Sequence, residues 1–216
     1  MNMFLPIAVC IFAQSVASAA MVTPSGGADF IEQSLPYNIT LTPFTLAPST
    51  AGTVYPGLSK TGANIIERIT VLRFSQTEIE SLGPLVSAHL NFSVNTERMS
   101  PQYPSRTLRI TGYSSDGPLT VTDFSQTGNV IFEQTVTTNY VDWYAPFNVD
   151  ISSFLNGVLT TSDTHVAFRF EQLAPSFTSQ TTTTIESIQL NVVPEPSAAS
   201  ALLAGIAVLG FRRIRR

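Results

Sequence analysis

The chain has 216 residues, which is enough for one domain with appended terminal segments. Residues 20–193 hold 14 acidic and 7 basic side chains, and this acidic balance argues against binding to nucleic acid. The one cysteine, Cys10, lies in an N-terminal apolar segment. The rest of the chain therefore has no thiol for a disulfide, a nucleophile or a metal site.

The first 19 residues have the pattern of a secretory signal peptide. An apolar run covers residues 4–13, and the small-x-small sequence Ala17-Ser18-Ala19 follows it. The pattern predicts cleavage by signal peptidase after Ala19, with Ala17 and Ala19 as the recognised small residues. Because the first three residues carry no Lys or Arg, the alternative is a buried helix that opens the fold.

Residues 20–193 are rich in Thr, Ser, Gly and Pro, and short apolar segments alternate with turn residues, which is typical of β-structure. Residues 85–94 alternate best: positions 86, 88, 90, 92 and 94 are apolar, and the other face is mostly polar. Residues 47–63 are predicted to be a loop, and residues 78–82 a turn of helix. A short helix with a Ser cap is predicted over residues 152–159. The other predicted strands are 30–32, 37–44, 65–74, 107–113, 119–124, 130–136, 144–151, 166–170 and 185–193.

These elements give about eight strands with no βαβ rhythm and no internal repeat. A chain of this kind closes most naturally as an all-β domain of two packed sheets. We therefore predict a β-sandwich of jelly-roll type over residues 20–193, with one short helix.

The turn around Asp116 has part of the spacing of a calcium-binding loop. With Gly117 at the sixth position, Asp116 is the fifth and Asp123 the twelfth, but Gly112 and Ser114 occupy positions one and three. A loop without its first carboxylate favours the alternative, a hairpin turn built on Asp-Gly. A structural calcium ion held by separate loops stays open.

The sequence predicts no catalytic residue, no cofactor and no enzyme. Its two histidines, His89 and His165, are far apart, and the motifs of nucleophilic and phosphate-binding sites are missing. A glycosidase would need two opposed carboxylates in a cleft, and the sequence supplies candidates without a spacing argument. A secreted hydrolase remains an alternative. The candidate carboxylates are Asp116, Asp123, Glu133, Asp142, Asp150 and Glu171.

An aromatic cluster surrounds Asp142. If its rings are exposed they can stack on sugars, and if they are buried they belong to the core. Trp143, Tyr144 and Asp142 are therefore the candidate ligand contacts of a carbohydrate-binding module, which is a further alternative. The aromatic members are Tyr140, Trp143, Tyr144 and Phe147.

The C-terminus has three consecutive parts. Pro194-Glu195-Pro196 comes first, the uncharged run 198–211 follows, and Arg212, Arg213, Arg215 and Arg216 end the chain. As a helix the run would be about 21 Å long, short of a bilayer core of about 30 Å, but arginines can extend its reach by snorkelling. Its apolar character on every face favours a transmembrane helix with a cytoplasmic Arg tail over a terminal core helix.

This arrangement over residues 194–216 resembles the PEP-CTERM sorting signal of Gram-negative bacteria. The resemblance implies recognition by an exosortase, cleavage near Pro194-Glu195-Pro196, and release of the helix and tail. It also implies a bacterium that makes exopolysaccharide and biofilm matrix. The order of segments between residues 85 and 171 is similar to sandwich domains that precede such tails, and to DNRLRE-type and carbohydrate-binding-like jelly rolls.

The sequence therefore predicts an exported protein that is processed at both ends. We expect it to be anchored in the inner membrane during sorting and then to reach the cell surface or the extracellular matrix. Its predicted role is that of a non-catalytic matrix component. Its predicted partners are signal peptidase, exosortase and exopolysaccharide, and not nucleic acid.

Overall fold

A computed structural model describes residues 18–34, 45–48, 53–61, 64–95, 105–137, 144–173 and 183–195. Most residues in these ranges lie in strands, and all the strand pairs are antiparallel, so the described part of the chain is all-β as predicted. The strands are β1 (Ala20–Val22), β2 (Gly26–Ser34), β3 (Thr45–Pro48), β4 (Thr53–Val54), β5 (Gly57–Thr61), β6 (Asn64–Ser75), β7 (Leu85–Asn95), β8 (Ser105–Ser115), β9 (Asn129–Thr137), β10 (Tyr144–Asp150), β11 (His165–Leu173) and β12 (Thr184–Pro194).

The strands form two sheets that pack face to face. Sheet A has the order β1-β12-β7-β10, and β4 also pairs with β12. Sheet B has the order β3-β2-β6-β11-β8-β9, and β5 also pairs with β6. The chain passes from one sheet to the other repeatedly, as it does between β6 and β7 and between β9 and β10. The prediction of a β-sandwich is confirmed at this level.

Side chains from the inner faces of both sheets form one apolar core. The alternation in β7 places Leu90, Phe92 and Val94 there, and each is at most 2% exposed. In sheet B, Phe168 and Phe170 of β11 are fully buried in the same core. Burial of this apolar surface is the main force that holds the two sheets together.

Aromatic rings cross the core from sheet to sheet. Phe92 stacks on Phe147 of β10 with their centroids 5.2 Å apart, and it meets Phe132 of β9 edge-on at 5.3 Å. Phe170 of β11 lies edge-on to Phe92 at 6.4 Å. These are the geometries that aromatic pairs favour. Phe147 therefore belongs to the core and not to an exposed aromatic patch.

Two short helices close one end of the sandwich. Helix α1 (Gln76–Glu80) follows β6, and α2 (Ser152–Val158) follows β10. The buried Gln76 side chain joins them, because its Nε2 donates to the carbonyl oxygens of Val158 and Thr161, each at 3.3 Å. The sequence predicted one helix in its final count, and the described residues contain two, with a 3₁₀ helix (Val121–Phe124) in addition.

The first and last strands reach the same end of the sandwich as the helices. Ala20 at the start of β1 pairs with Val192 near the end of β12, and Pro194 pairs with Leu85 at the start of β7. The Glu195 N–H donates to the Pro84 carbonyl at 2.7 Å, which holds the chain one residue beyond β12. We call this the terminal end.

Residues 116–128, which connect β8 to β9, form a covering segment over the outer face of sheet B. Leu119 and Phe124 of this segment pack on a second apolar cluster. A hydrophobic outer face would otherwise be in water, so this segment completes a second, smaller core. The cluster on the sheet consists of Ile69, Val71, Tyr113 and Ala167.

Two arginines of sheet B bind the covering segment. Arg73 donates to the carbonyl of Gly117, and Arg169 Nη1 donates to the carbonyls of Phe124 and Gln126 at 2.8 and 2.9 Å. Gly117 has φ +73°, a conformation that glycine adopts without strain. The Asp-Gly turn thus begins a 13-residue connection and not the tight hairpin that the sequence favoured.

Several local predictions were wrong. Residues 47–63 contain the strands β4 and β5 and the last residues of β3, which pair with neighbours despite their Pro and Gly content. Residues 119–124 include the 3₁₀ helix in place of a strand, because Asp123 accepts the Thr120 N–H and starts a helical turn. Val86 is 58% exposed, because the bulge between β12 and the start of β7 ends the regular alternation there.

The predicted Ser cap of α2 is also wrong. The N-cap position is Ile151, and Ser152 is the first helical residue. Asp150 takes the capping role, since its Oδ1 accepts the Ser152 N–H at 2.9 Å. The Ser152 hydroxyl donates to the same oxygen at 2.6 Å.

Four further predictions concern residues outside the described ranges. These are the apolar run of the signal peptide, the strand at 37–44, the run 198–211 and the Arg tail. No helix within the described ranges has the length and apolar character that a membrane span requires.

Candidate functional site

Of the three predicted ligand contacts, the structure describes only the backbone of Tyr144. Trp143 and Asp142 lie outside the described residues, as do Ala17 and Pro196. The backbone of Tyr144 begins β10 and stands opposite Asn95 in the register. The aromatic site thus stays a prediction, apart from Phe147, which the core contains.

The carboxylates of the predicted calcium loop are engaged by neighbouring protein groups. Asp116 Oδ1 accepts a hydrogen bond from Thr164 Oγ1 at 3.2 Å. Asp123 Oδ2 accepts the Thr120 N–H at 2.7 Å, and its Oδ1 accepts the Tyr113 hydroxyl at 3.3 Å. Burial, with the charge of Asp123, raises the pKa of Tyr113 well above its ordinary value. Within the described ranges no three His, Cys, Asp or Glu side chains come together as metal ligands would.

The other described carboxylates are not arranged as an opposed catalytic pair. Glu133 and Glu171 both bind Arg109, with nitrogen–oxygen distances of 2.7 and 3.6 Å, and Arg169 lies 3.7 Å from Glu171. The hydrogen bond to Glu133 raises the pKa of Arg109. Asp150 is bound by Ser152, which lowers the pKa of its carboxyl group. The bonds from Ser152 favour the ionised form of Asp150, which is therefore unsuited to act as a general acid.

A groove lies at the terminal end of the described structure, between α2 and the start of β9. Its volume is about 820 Å³, and Asp150, Ser153 and Phe154 line one side while Gln126, Asn129 and Val130 line the other. The floor is Gly112, where an added Cβ would come within 2.5 Å of the Phe154 ring. The groove therefore depends on a glycine that lets the ring lie directly on the strand.

A second surface, the outer face of sheet A, carries an array of polar side chains. The register sets Asn148 of β10, Asn91 of β7 and Gln189 of β12 side by side. In antiparallel strands, residues directly opposite one another project from the same face, and neighbouring strands are about 4.8 Å apart. These three amides form one row across the sheet.

A parallel row lies two residues along each strand. It contains Asp150, His89 and Asn191 in the same strand order. Asn148, Asp150 and Gln189 are exposed, and the residues of β7 between them are half-buried. We call these six side chains the amide face, and Asp150 joins it to the groove.

Two polar atoms in the middle of the amide face have no hydrogen-bond partner. They are the Oδ1 of Asn91 and the Nδ1 of His89, and both are buried by the side chains around them. Buried polar atoms are nearly always paired in folded proteins, so each unpaired atom requires an explanation.

In comparisons with known proteins, no family model and no curated protein sequence matches this chain.

Sequence reasoning placed only two of the six side chains of the amide face on a common polar surface. The alternation in residues 85–94 placed His89 and Asn91 on the polar side of a strand, as the structure confirms. It gave no reason to connect them with Asn148 or Gln189, which are distant in the sequence. The sequence did contain one signal for this surface, the low strand propensity of Asn. Asn is depleted in strands, and here it recurs at strand interiors.

Proposed function

We propose that this chain is an exported, non-catalytic component of a bacterial cell surface or extracellular matrix, sorted through an exosortase-type C-terminal signal. One observation carries the proposal: the folded body fills the interval between the two predicted processing sites. β1 begins at Ala20, directly after the predicted signal peptidase site, and β12 ends at Pro194. Cleavage at either site would leave every described strand intact.

The positions of the two ends support the same proposal. Both lie at the terminal end, where Ala20 pairs with Val192. A body with this geometry can stand on the outer side of the inner membrane while its signal peptide and its tail both reach the bilayer. In the proposed order of events, signal peptidase acts first, the helix 198–211 anchors the chain, and exosortase then removes the tail.

A non-catalytic role is supported by how the described acids are engaged. Glu133 and Glu171 are tied to arginine, and Asp116, Asp123 and Asp150 accept hydrogen bonds from their own neighbours. These groups serve the fold.

The strand order supports a jelly-roll assignment of the sandwich. If β1, β6, β7, β8, β9, β10, β11 and β12 are numbered one to eight, sheet A reads 1-8-3-6 and sheet B contains 2-7-4-5. Such alternating four-strand orders are those of two interleaved Greek keys. In this assignment β2 and β3 extend sheet B beyond β6, β5 pairs with the first residues of β6 on the edge that also carries β11, and β4 is a short addition to sheet A.

A second candidate function, a carbohydrate-binding module, is favoured by the amide face. Its planar amides offer both donors and acceptors on an exposed sheet surface, which suits a polyhydroxylated ligand.

The sorting proposal is tested by replacing Arg212, Arg213, Arg215 and Arg216 with Ser in the native host. The expected result is an exported chain that is no longer processed at its C-terminus, since the charge that fixes the tail in the cytoplasm is gone. Gln134→Ala, an exposed change on β9, serves as the control and should be processed normally. Normal processing of the Arg-to-Ser chain would contradict the proposal.

A further inference from the structure

Three asparagines occupy strand interiors on the outer face of sheet A. Asn91, Asn148 and Asn191 lie on three adjacent strands, two of them in one row with Gln189. Asparagine is depleted in strands because its side chain competes for backbone hydrogen bonds. A group of residues that breaks a local preference without a gain in packing indicates a functional surface.

We propose that the amide face binds a neutral polysaccharide, laid across β10, β7 and β12 with its hydroxyl groups on the amides. The inference rests on the proposed function in one respect: the protein must be exported in order to encounter polysaccharide. It goes further in naming a site that is distinct from the aromatic cluster around Trp143.

The chemistry of the face matches that of hydroxyl groups. An amide side chain has two N–H donors and an oxygen acceptor, and a sugar hydroxyl both donates and accepts. Asn91 Oδ1 lies between the exposed Asn148 and Gln189, and His89 Nδ1 lies beside the exposed Asp150, so a small side-chain rotation would present these unpaired atoms to a ligand. A hydrogen bond from a hydroxyl to Asn91 Oδ1 would satisfy an atom whose unpaired burial destabilises the free protein.

The charges of the face exclude other ligand classes. Among the described residues of its two rows there is no Lys or Arg, and the one acidic group is Asp150. A nucleic acid, a phosphorylated ligand or an acidic polysaccharide would meet neither Lys nor Arg there. A protein partner of ordinary affinity would need a cluster of exposed apolar or aromatic anchors. The six side chains include none, and the exposed Met21 of β1, opposite Asn191, is a single apolar side chain beside them.

The test is affinity electrophoresis of the full chain against three neutral polysaccharides, dextran, galactomannan and xyloglucan, with alginate as the acidic comparator. We expect retardation by at least one neutral polymer and none by alginate. The double change Asn148→Ala with Gln189→Ala should weaken binding about tenfold or more, because it removes several hydrogen bonds from exposed positions.

The matched control is Gln134→Ala with Thr135→Ala, an exposed polar pair on β9 of sheet B, which should bind as the unchanged chain does. Asn148→Asp is a second test variant of nearly unchanged shape, and it should also bind more weakly because it loses two donors. It keeps the test decisive if the double variant fails to fold.

The proposal is overturned if no neutral polymer retards the unchanged chain, or if the Asn148 and Gln189 variants bind normally. Loss of binding in Trp143→Ala alone would place the sugar site on the aromatic cluster and would equally overturn it. C-terminal processing is measured separately by mass, so failure of the amide face leaves the sorting proposal standing.

Discussion

Part of the outer face of sheet B is covered by its own chain, whereas the outer face of sheet A presents amides to the surroundings. On sheet B the covering segment buries Tyr113 and Val71, and Arg73 and Arg169 hold it in place. On sheet A the corresponding positions include Asn91 and Asn148, with no apolar cluster among the described residues of that face. The comparison separates a face that stabilises the fold from a face that is free to bind.

The largest loss of stability is expected when the second core, beneath the covering segment of sheet B, is disrupted. Tyr113→Ala should lower the free energy of unfolding by about 3 kcal/mol, because it removes a buried ring from beneath the covering segment. Tyr113→Phe keeps the ring, loses only the 3.3 Å bond to Asp123, and should lose less than about 1.5 kcal/mol. Urea denaturation measures both. A loss below about 1 kcal/mol in Tyr113→Ala would mean that the covering segment adds little stability.

Replacement of Arg169, which binds the covering segment, should cause the second largest loss of stability. Arg169→Met removes two bonds to backbone carbonyls, together with the ion pair to Glu171, and should lower the free energy of unfolding by about 2 kcal/mol. Arg109→Met is the matched control, since its ion pairs with Glu133 and Glu171 are near the surface and are worth at most about 1 kcal/mol. Equal losses in the same urea titration would show that Arg169 acts only as a surface charge.

Changes on the amide face should leave stability almost unaltered. Asn148→Ala and Gln189→Ala are each expected to stay within about 0.5 kcal/mol of the unchanged chain, because both positions are exposed. Thermal unfolding followed by circular dichroism checks this. A loss above about 1 kcal/mol would mean that the amides support the sheet and would weaken the case for a binding surface.

The smallest expected effects are those of pH on stability. His165 in sheet B and Asp150 in sheet A should act in different pH ranges. Burial, with the charge of Arg73, lowers the pKa of His165 in sheet B below 6.5, so its unfolded form binds protons more readily. Stability should therefore fall as the pH drops through 6.5, and His165→Gln should remove that part of the loss.

Asp150 at the edge of sheet A should act only in stronger acid. The bonds from Ser152 lower its pKa below 3.8, so its contribution is complete above that pH and is lost as the pH falls further. Denaturation midpoints measured between pH 7 and pH 3 distinguish the two groups. An unchanged acid profile in Asp150→Asn at the lowest pH would contradict this assignment.

The sequence predicted well where side chains repeat with the period of a strand. Residues 88–94 alternate cleanly, and the core received the side chains expected of it. Prediction failed where the path of the chain depends on contacts between residues that are distant in the sequence. Nothing local in residues 119–124 shows that Phe124 will pack on sheet B, and the apolar outward residues Ile69 and Val71 were the available sign that something must cover them.

The amide face illustrates the same limit for function. Asn91, Asn148 and Gln189 are neighbours only because β7 lies between β10 and β12, and strand order is a property of the whole fold. The processing sites, in contrast, were read from contiguous segments. The structure adds the proximity of the two ends, which the sequence did not suggest.

The intact mass of the protein isolated from the outside of its native host tests the central claim most directly. The proposed sorting predicts a chain that begins at Ala20 and ends near Glu195. Such a chain keeps every described strand, and it keeps the hydrogen bond from the Glu195 N–H to the Pro84 carbonyl that holds the end of β12. An exported chain that retains Arg216 would contradict C-terminal sorting, and one that retains Met1 would contradict the signal peptide.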